Sequence, residues 1–272
     1  MPLFIAGFGT SIEYVTLRLL DVLREADKVY IDAYTSIAPG LDADSVARLA
    51  PRAEIVIADR KLLEEKQSVI IEEAREKNIV VLVPGDPMLA TTHVTLRIEA
   101  VRRGVSVELI HGVSGLQAVV SYTGLQVYRF GRTVTLVYPE EGFKPYSTVE
   151  YTWENLDRGL HTLILLDLRL DQGRAMSINE AIPILLELED ELVSQTGRKE
   201  RLIRDSILVG VARAGTREAK CRAGKAEEVA SEAYPPPPHS LIVTAPRLHP
   251  IEEEALHLIC NLGVARHGPK TR

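Results

Sequence analysis

The chain has 272 residues, of which 46% are hydrophobic and 26% are charged, a composition typical of globular proteins that bury a substantial core. Its formal net charge of −6 argues against a nucleic-acid coat or a protein held at an anionic membrane surface, because both need a basic face. No apolar run reaches the roughly 18 residues that a membrane-spanning helix requires, so we expect neither nucleic acid nor a membrane as a partner.

The first 110 residues alternate between strand-like and helix-like patterns. Apolar, strand-like runs occupy residues 3–9, 28–35, 53–58, 79–83 and 105–110. Apolar residues recur at helical spacing within residues 15–26, 42–50, 62–77 and 92–104. This alternation predicts βαβ units, and hence a mostly parallel sheet with helices on both faces.

The pattern changes after residue 112. Strand-like runs now lie at residues 133–139, 161–168, 205–215, 219–224 and 239–246. Helical patterns are fewer, at residues 114–125, 177–192 and 251–263, and Ser177 with Glu180 predicts a capping box. We therefore predict an α/β protein of two domains, with residues 1–112 forming the parallel sheet and residues 113–272 a mixed α+β sheet.

A glycine turn follows the first predicted strand, in the sequence AGFGT (residues 6–10). Open α/β sheets bind ligands beyond the carboxyl ends of their strands, which makes this turn a candidate site. The third glycine of a dinucleotide-binding fingerprint would stand at position 12, which is Ile12. A nicotinamide-dependent oxidoreductase is thus a weak alternative, and a plain strand-to-helix turn explains the sequence as well.

The sequence PGDPMLATTH (residues 84–93) ends another predicted strand and is a stronger candidate. Pro84 and Pro87 restrict the backbone, and Gly85 permits conformations that other residues avoid. If the strands are parallel, this loop lies at the same edge of the sheet as Gly9. The structural alternative is a turn in which Asp86 caps the helix that follows.

Two further loops are rich in small residues. In HGVSG (residues 111–115), Ser114 is either a helix N-cap or part of a helix N-terminus whose amides meet a carboxylate. In ARAGT (residues 212–216), the backbone is open enough to approach a flat ligand, and an ordinary hairpin turn is an equal alternative.

Histidine and cysteine patterns give no sign of metal or covalent chemistry. The histidines at positions 93, 111, 161 and 239 lack metal-ligand spacing, and each alone is more often a structural hydrogen-bond partner. Cys221 and Cys260 stand far apart without a CxxC pattern, which predicts no disulfide, no zinc site and a reducing cytoplasm. No residue stands out as a catalytic base.

Taken together, GFG, PGDPMLATTH, HGVSG and ARAG resemble the tetrapyrrole-methylase-like (class III) S-adenosylmethionine-dependent methyltransferases. Five more segments are similar to the diphthine synthase subfamily of diphthamide biosynthesis: DAYTS, TGLQVYRFG, RTVTLVYPE, RGLHTLILLDL and PPPPHSLIV. The resemblance spans residues 7–243 and so covers nearly the whole chain.

The resemblance implies a homodimer that binds S-adenosylmethionine in a cleft between the two domains and uses no metal. The implied cofactor contacts are Thr10, Asp86, Leu89, Ser114, Gly115, Leu166, Ala214 and His239. The family usually has GLGLxDExDIT where this chain reads GFGTSIEYVT, one residue shorter, so Thr10 is the contact most affected.

The implied substrate is elongation factor 2, on a histidine already carrying a 3-amino-3-carboxypropyl group, whose amino group would be trimethylated to diphthine. Such a transfer needs alignment and water exclusion more than a protein nucleophile, and orientation can lower a barrier by about 7–11 kcal/mol. The nearest alternative is a corrin or uroporphyrinogen methyltransferase of the same superfamily, and a non-catalytic adaptor is a third.

Arginine outnumbers lysine 23 to 9, and only 9 asparagines and glutamines occur, which indicates a thermophile protein.

Overall fold

The computed structural model describes residues 2–263. The chain forms two compact units, and each of them is assembled from more than one segment. The first runs up to Ala118 and also contains Leu168–Arg174 and Gly215–Arg217. The second consists of Val119–Asp167, Ala175–Ala214 and residues 218–263.

The first unit is built on a five-stranded parallel sheet. Its strands are β1 (Leu3–Gly9), β2 (Lys28–Asp32), β3 (Glu54–Ala58), β4 (Ile79–Pro84) and β5 (Val107–Ile110). They are ordered β3-β2-β4-β1-β5, and every neighbouring pair is parallel. The predicted parallel sheet is therefore confirmed.

Helices cover both faces of this sheet. They are α1 (Leu17–Glu25), α2 (Ala43–Leu49), α3 (Gln67–Glu73) and α4 (Val94–Arg102), and α5 (Gly115–Thr123) follows β5. Successive side chains of a strand point to opposite faces, so Phe4 and Phe8 of β1 pack in one core cluster while Leu3 and Ile5 pack in another. Both faces of the sheet are thus buried, as its continuous apolar runs predict.

The second unit contains a mixed five-stranded sheet. Its strands are β6 (Val134–Leu136), β7 (Thr162–Leu166), β10 (Leu208–Ala212), β11 (Lys220–Gly224) and β12 (His239–Val243), in the order β11-β10-β12-β7-β6. Between β7 and β10 lie two two-residue strands, β8 (Leu168–Arg169) and β9 (Arg174–Ala175). Only β6 and β7 run parallel in the sheet, so the predicted mixed sheet is confirmed.

Helices of the second unit bury one apolar core. They are α6 (Tyr146–Asp157), α7 (Ile178–Thr196), α8 (Leu202–Asp205), α9 (Ala226–Ala230) and α10 (Pro250–Ile259). The capping box of α7 forms as predicted, with Ser177 Oγ accepting from the Glu180 amide while the Glu180 carboxylate accepts from the Ser177 amide. No helix within residues 2–263 is both long enough and apolar enough to cross a membrane.

One local prediction was wrong, and one helix was not predicted. The helix expected over residues 62–77 is divided into a π-helical turn, Lys61–Glu65, and the separate helix α3. Gln67, at the start of α3, donates from its side chain to the Leu63 carbonyl 2.6 Å away and so gives this carbonyl of the π-helical turn a hydrogen-bond partner. The polar stretch between residues 139 and 161, where the sequence pattern indicated no element, contains α6.

The prediction that the cysteines stay unpaired was also wrong. Cys221 in β11 and Cys260 at the end of α10 form a disulfide, with Cα atoms 4.9 Å apart. The Ala223 amide donates to the Cys260 carbonyl at 2.7 Å, so the strand brings the two cysteines together although 39 residues separate them.

Removing this disulfide should destabilise the second unit. Replacing both Cys221 and Cys260 by alanine is expected to lower the free energy of unfolding by about 2–4 kcal/mol, because the crosslink restricts the unfolded chain. Guanidinium denaturation with and without a reductant measures the effect, and the double variant, insensitive to reductant, is the control. An unfolding midpoint of the parent protein that reductant leaves unchanged would contradict this expectation.

Candidate functional site

Three glycine loops meet backbone to backbone at the carboxyl edge of the parallel sheet. The Gly9 amide donates to the Gly85 carbonyl at 3.1 Å, and the Gly85 amide donates to the Gly9 carbonyl at 2.9 Å. A Cβ on Gly7 would lie 2.4 Å from the Gly85 oxygen and 2.7 Å from the Gly112 nitrogen. Because only residues without a side chain fit here, these glycines let the loops after β1, β4 and β5 pack directly against one another.

Asp86 fixes the loop that follows β4. One of its carboxylate oxygens accepts from the Met88 amide at 2.9 Å, and the other lies 2.8 Å from Nδ1 of His111. Asp86 is buried, whereas the His111 side chain is largely exposed. Since α4 begins only at Val94, Asp86 holds this turn and does not cap that helix.

Loss of the Asp86 carboxylate should loosen this loop. We expect Asp86→Ala to weaken the binding of S-adenosylhomocysteine, the product of the cofactor that the motif resemblance implies, by about 1–3 kcal/mol, because the Met88 amide and His111 lose their acceptor. Calorimetric titration measures the change, and Asp86→Asn, which keeps an acceptor for the Met88 amide, should lose less. An unchanged affinity in Asp86→Ala would restrict Asp86 to a role in the turn itself.

Leu89 lies at the outer part of the same loop, with 52% of its surface exposed. The next residue, Ala90, has φ of +55°, a left-handed conformation that is uncommon for a residue with a side chain. The segment between Asp86 and α4 is therefore held in an unfavourable backbone conformation, as residues at binding sites often are.

Thr10 and Ser11 follow the β1 glycine turn, and both are buried. The Thr10 hydroxyl donates to the Gly215 carbonyl at 2.9 Å, so this side chain already has a protein partner. The Ser11 hydroxyl, in contrast, has no hydrogen-bond partner among residues 2–263. A buried polar atom without a partner is rare and indicates a place where a ligand or water binds.

Ser114 and Gly115 form the start of α5. The Ser114 hydroxyl, which is buried, accepts from the Leu116 amide at 3.2 Å. Gly115 is exposed, and a Cβ placed on it would meet no atom within 4 Å, so space is open beside the first turn of the helix. The unpaired amides of such a turn favour a negatively charged group.

The three remaining predicted contacts lie in the second unit, at one edge of its sheet. Leu166 ends β7, Ala214 follows β10, and His239 begins β12. His239 pairs with Ala212 of β10, and its neighbour Ser240 pairs with Leu165 of β7, so the strand register brings the three positions together.

The His239 side chain is committed to the second unit. Its Nδ1 accepts from the Ile178 amide at 3.2 Å, and its Nε2 lies 2.7 Å from the Pro235 carbonyl, to which it donates. Burial lowers the pKa of His239, and the nearby Arg213 contributes in the same direction, so the ring stays neutral. Any contact from His239 to a cofactor is therefore made by atoms other than these two nitrogens.

Sequence reasoning did not single out Ser11, and it interpreted His111 as a structural hydrogen-bond partner and not as a partner of Asp86. His111 follows β5 as Asp86 follows β4. Because parallel strands end at the same edge of a sheet, the sequence could have indicated that these two loops lie close together. Ser11 carried no signal, because its lack of a partner is visible only in the folded chain. Residues 2–263 contain no group of three or more His, Cys, Asp or Glu arranged to hold a metal ion.

Comparison with known proteins adds independent evidence. The family model of the tetrapyrrole (corrin/porphyrin) methylases matches residues 2–230. Diphthine synthase of Staphylothermus marinus is 46% identical over 263 residues, which cover 96% of this chain and 94% of that protein. Diphthine synthase of Methanocaldococcus jannaschii is 39% identical over 262 residues, covering 95% of this chain and 98% of the relative. The chain belongs to the diphthine synthase family.

A solved structure agrees with this assignment. A crystal structure of diphthine synthase superposes with a TM-score of 0.84 at 32% identity, covering 97% of each chain. The two-sheet α/β fold and the methyltransferase class predicted from the sequence are therefore confirmed. The corrin or uroporphyrinogen methyltransferase alternative is not favoured, because the near-full-length relatives are diphthine synthases.

Proposed function

We propose that this methyltransferase acts on elongation factor 2 in diphthamide biosynthesis. It transfers methyl groups from S-adenosylmethionine to the amino group of a histidine already extended with 3-amino-3-carboxypropyl, and forms the trimethylated product diphthine. The observation that carries this proposal is the 46% identity to a diphthine synthase across 96% of the chain.

The residues present fit S-adenosylmethionine. The close packing at Gly7, Gly85 and Gly112 holds the strand-end loops in place, and the unpartnered Ser11 hydroxyl offers a polar contact. The open first turn of α5 at Gly115 suits the cofactor's carboxylate. We propose as cofactor contacts the residues Thr10, Asp86, Leu89, Ser114, Gly115, Leu166, Ala214 and His239.

Rigid positioning is what these residues contribute to the reaction. When bound, S-adenosylmethionine would supply an electrophilic methyl group to the amine nitrogen, with S-adenosylhomocysteine as the leaving group and without a protein nucleophile or metal. Asp86 holds its loop through Met88 and His111, and the paired amides and carbonyls of Gly9 and Gly85 lock two loops together. Such preorganisation lowers a barrier by orientation, of the order of 7–11 kcal/mol in favourable cases.

We also propose that the protein is a homodimer. Helix α4 exposes Val94, Ile98 and Val101, which lie on one face because they are four and three residues apart. An apolar stripe of this kind supports self-association, and sedimentation equilibrium measures it.

A thermophilic origin and a cytoplasmic location are part of the same proposal. The scarcity of heat-labile amides supports the origin. The substrate, elongation factor 2, works in the cytoplasm. The Cys221–Cys260 disulfide is compatible with that location because intracellular proteins of hyperthermophiles are commonly rich in disulfides.

A transfer assay with three acceptors tests the proposal. S-adenosylmethionine labelled in its methyl group is incubated with the protein and one of three acceptors: elongation factor 2 carrying the 3-amino-3-carboxypropyl group, unmodified elongation factor 2, or uroporphyrinogen. We expect label only in the first. Label in uroporphyrinogen would restore the tetrapyrrole alternative. Failure to bind S-adenosylhomocysteine in calorimetry would exclude methyl transfer and leave a non-catalytic adaptor.

A further inference from the structure

A histidine and an aspartate of the first unit form a buried pair outside the predicted contacts. His93 and Asp32 are 1% and 2% exposed, and Nε2 of His93 lies 2.8 Å from Oδ2 of Asp32. The Tyr34 and Thr35 amides donate to the other oxygen of Asp32 at 3.0 and 3.1 Å, and the Thr35 hydroxyl donates to Oδ2. Asp32 is thus fixed from several directions.

These contacts determine which nitrogen of His93 carries the proton. Burial alone would raise the pKa of Asp32, but the hydrogen bonds from His93, Thr35 and Tyr34 outweigh it and hold that pKa below its ordinary value. Asp32 is therefore an ionised carboxylate that can only accept, so Nε2 donates to it. In neutral His93 this leaves Nδ1 as an acceptor with an available lone pair.

Nδ1 of His93 has no hydrogen-bond partner among residues 2–263. The same holds for the buried hydroxyl of Thr91, two residues earlier. Two unpartnered polar atoms in one short segment, next to the left-handed Ala90, indicate a place where a ligand or water binds, as at Ser11. An imidazole oriented by a carboxylate on one nitrogen and free on the other is the arrangement of a general base.

The pair lies at the same edge of the sheet as the glycine loops. Asp32 is the last residue of β2 and Pro84 the last of β4, and these strands are adjacent and parallel. The loop that contains Asp86 and Leu89 ends at His93, directly before α4. His93 therefore belongs to the segment that the proposed cofactor contacts occupy.

The proposed reaction requires a proton acceptor. An alkyl ammonium has no lone pair, so it must lose a proton before its nitrogen can attack the methyl group and displace S-adenosylhomocysteine. Each of the first two methylations forms a new protonated amine. Conversion of R–NH₃⁺ to R–N(CH₃)₃⁺ with three S-adenosylmethionine molecules releases three protons and three S-adenosylhomocysteine molecules.

We propose that His93 accepts these protons at Nδ1, one before each methyl transfer, and that Asp32 acts as its positioning residue. The N–H bond of the substrate ammonium breaks and its electron pair stays on nitrogen. Because Nδ1 is buried, a water bound at this atom carries the proton from the ammonium to the ring and later from the imidazolium to solvent. This inference rests on the proposed function.

Other titratable groups near the pair do not replace His93 in this role. The Tyr34 hydroxyl lies 3.1 Å from Thr92 and 3.1 Å from Glu64 of the π-helical turn, and Glu64 is paired with Arg60. Burial raises the pKa of Tyr34 to about 12, and Glu64 adds to this, so the phenol stays neutral in the working range. On the strand-end loops, Asp86 and His111 are paired with each other.

His93→Gln separates a proton-accepting role from a structural one. Glutamine can keep the donor to Asp32 in the place of Nε2 but lacks the acceptor at Nδ1. We expect a loss of about 10²- to 10⁴-fold in kcat near neutral pH, with unchanged affinity for S-adenosylhomocysteine. The rate of the variant should rise with pH as solvent deprotonates the amine, and mono- and dimethylated products should accumulate. His257→Gln, in α10, is the control and should match the parent protein.

Several outcomes decide the inference. A His93→Gln enzyme with the parent's rate and pH profile would overturn it, as would a uniform loss of activity at all pH values accompanied by a lower melting temperature. The ¹⁵N spectrum of the unmutated protein gives a readout independent of any variant: the Nε2–H tautomer of His93 is expected, and an Nδ1–H tautomer would overturn the inference. If the parent protein methylates no elongation factor 2, the proposed function and this inference both fail, whereas normal transfer by both proteins removes only the inference.

Discussion

Gly112→Ala is expected to lower both S-adenosylhomocysteine affinity and methyl transfer by about 10²-fold or more. A Cβ at this position would lie 2.3 Å from the Gly85 carbonyl oxygen and 2.8 Å from the Gly9 nitrogen. Both are backbone atoms, which cannot rotate aside, so the loops after β1, β4 and β5 must separate. Misplacement of a binding site by about 1 Å is enough for an effect of this size.

A graded set of alanine variants tests the cause of that loss. At Gly85 the added Cβ would have only ordinary contacts, the nearest at 3.6 Å, so the cost comes from its φ of +73° and should be about 1 kcal/mol. At Gly263 no atom lies within 4 Å, and we expect no effect. Calorimetry with S-adenosylhomocysteine and circular dichroism would rank the three. Affinity in Gly112→Ala within threefold of the parent would contradict the proposed role of the glycine contact.

Glu252→Ala should lower the free energy of unfolding by about 3–5 kcal/mol, the cost typical of breaking a buried ion pair. Glu252 is fully buried at the start of α10 and accepts from four groups. The Gln126 amide and Nε2 of His161 reach one oxygen at 3.0 and 3.1 Å. The His249 amide, at 2.9 Å, and the Arg129 guanidinium reach the other. Removing the carboxylate leaves all four without this acceptor.

Neighbouring substitutions provide the controls for Glu252. Glu253→Ala changes an exposed side chain and should alter the unfolding free energy by less than about 0.5 kcal/mol.

Burial would raise the pKa of Glu252, but hydrogen bonds from the His249 and Gln126 amides and from His161 hold it below its ordinary value. Its stabilising contribution is therefore present at neutral pH and is lost as the pH falls through that lowered pKa. A loss below 1 kcal/mol at neutral pH in urea denaturation would contradict the assignment.

The strands could be predicted because their signals are local and strong. The apolar runs that form β1, β2 and β4 stop at glycine, proline or charged residues, and α7 has a complete capping box. Helix α6 was missed because it begins after Pro145 with no side-chain cap and contains β-branched and aromatic residues. Tertiary burial of Val149, Trp153 and Leu156, spaced four and three residues apart, stabilises it.

The unpredicted parts of the candidate site depend on contacts between distant residues. Asp32 and His93 are 61 residues apart in sequence and meet only because β2 lies beside β4. The Cys221–Cys260 disulfide likewise depends on where α10 ends relative to β11. The glycine loops carried a local signal, but their mutual contact required the strand order. Motif resemblance therefore indicated the glycine loops that we propose as the binding site, while a residue suited to accept a proton became visible only in the folded chain.

Mass spectrometry of the modified histidine tests the central claim most directly. Elongation factor 2 that carries the 3-amino-3-carboxypropyl group is incubated with the protein and S-adenosylmethionine, and the peptide containing that histidine is then analysed. We expect three added methyl groups, all located by fragmentation on the amino nitrogen. A peptide that gains no methyl group, while the protein binds S-adenosylhomocysteine normally, would contradict the proposed function.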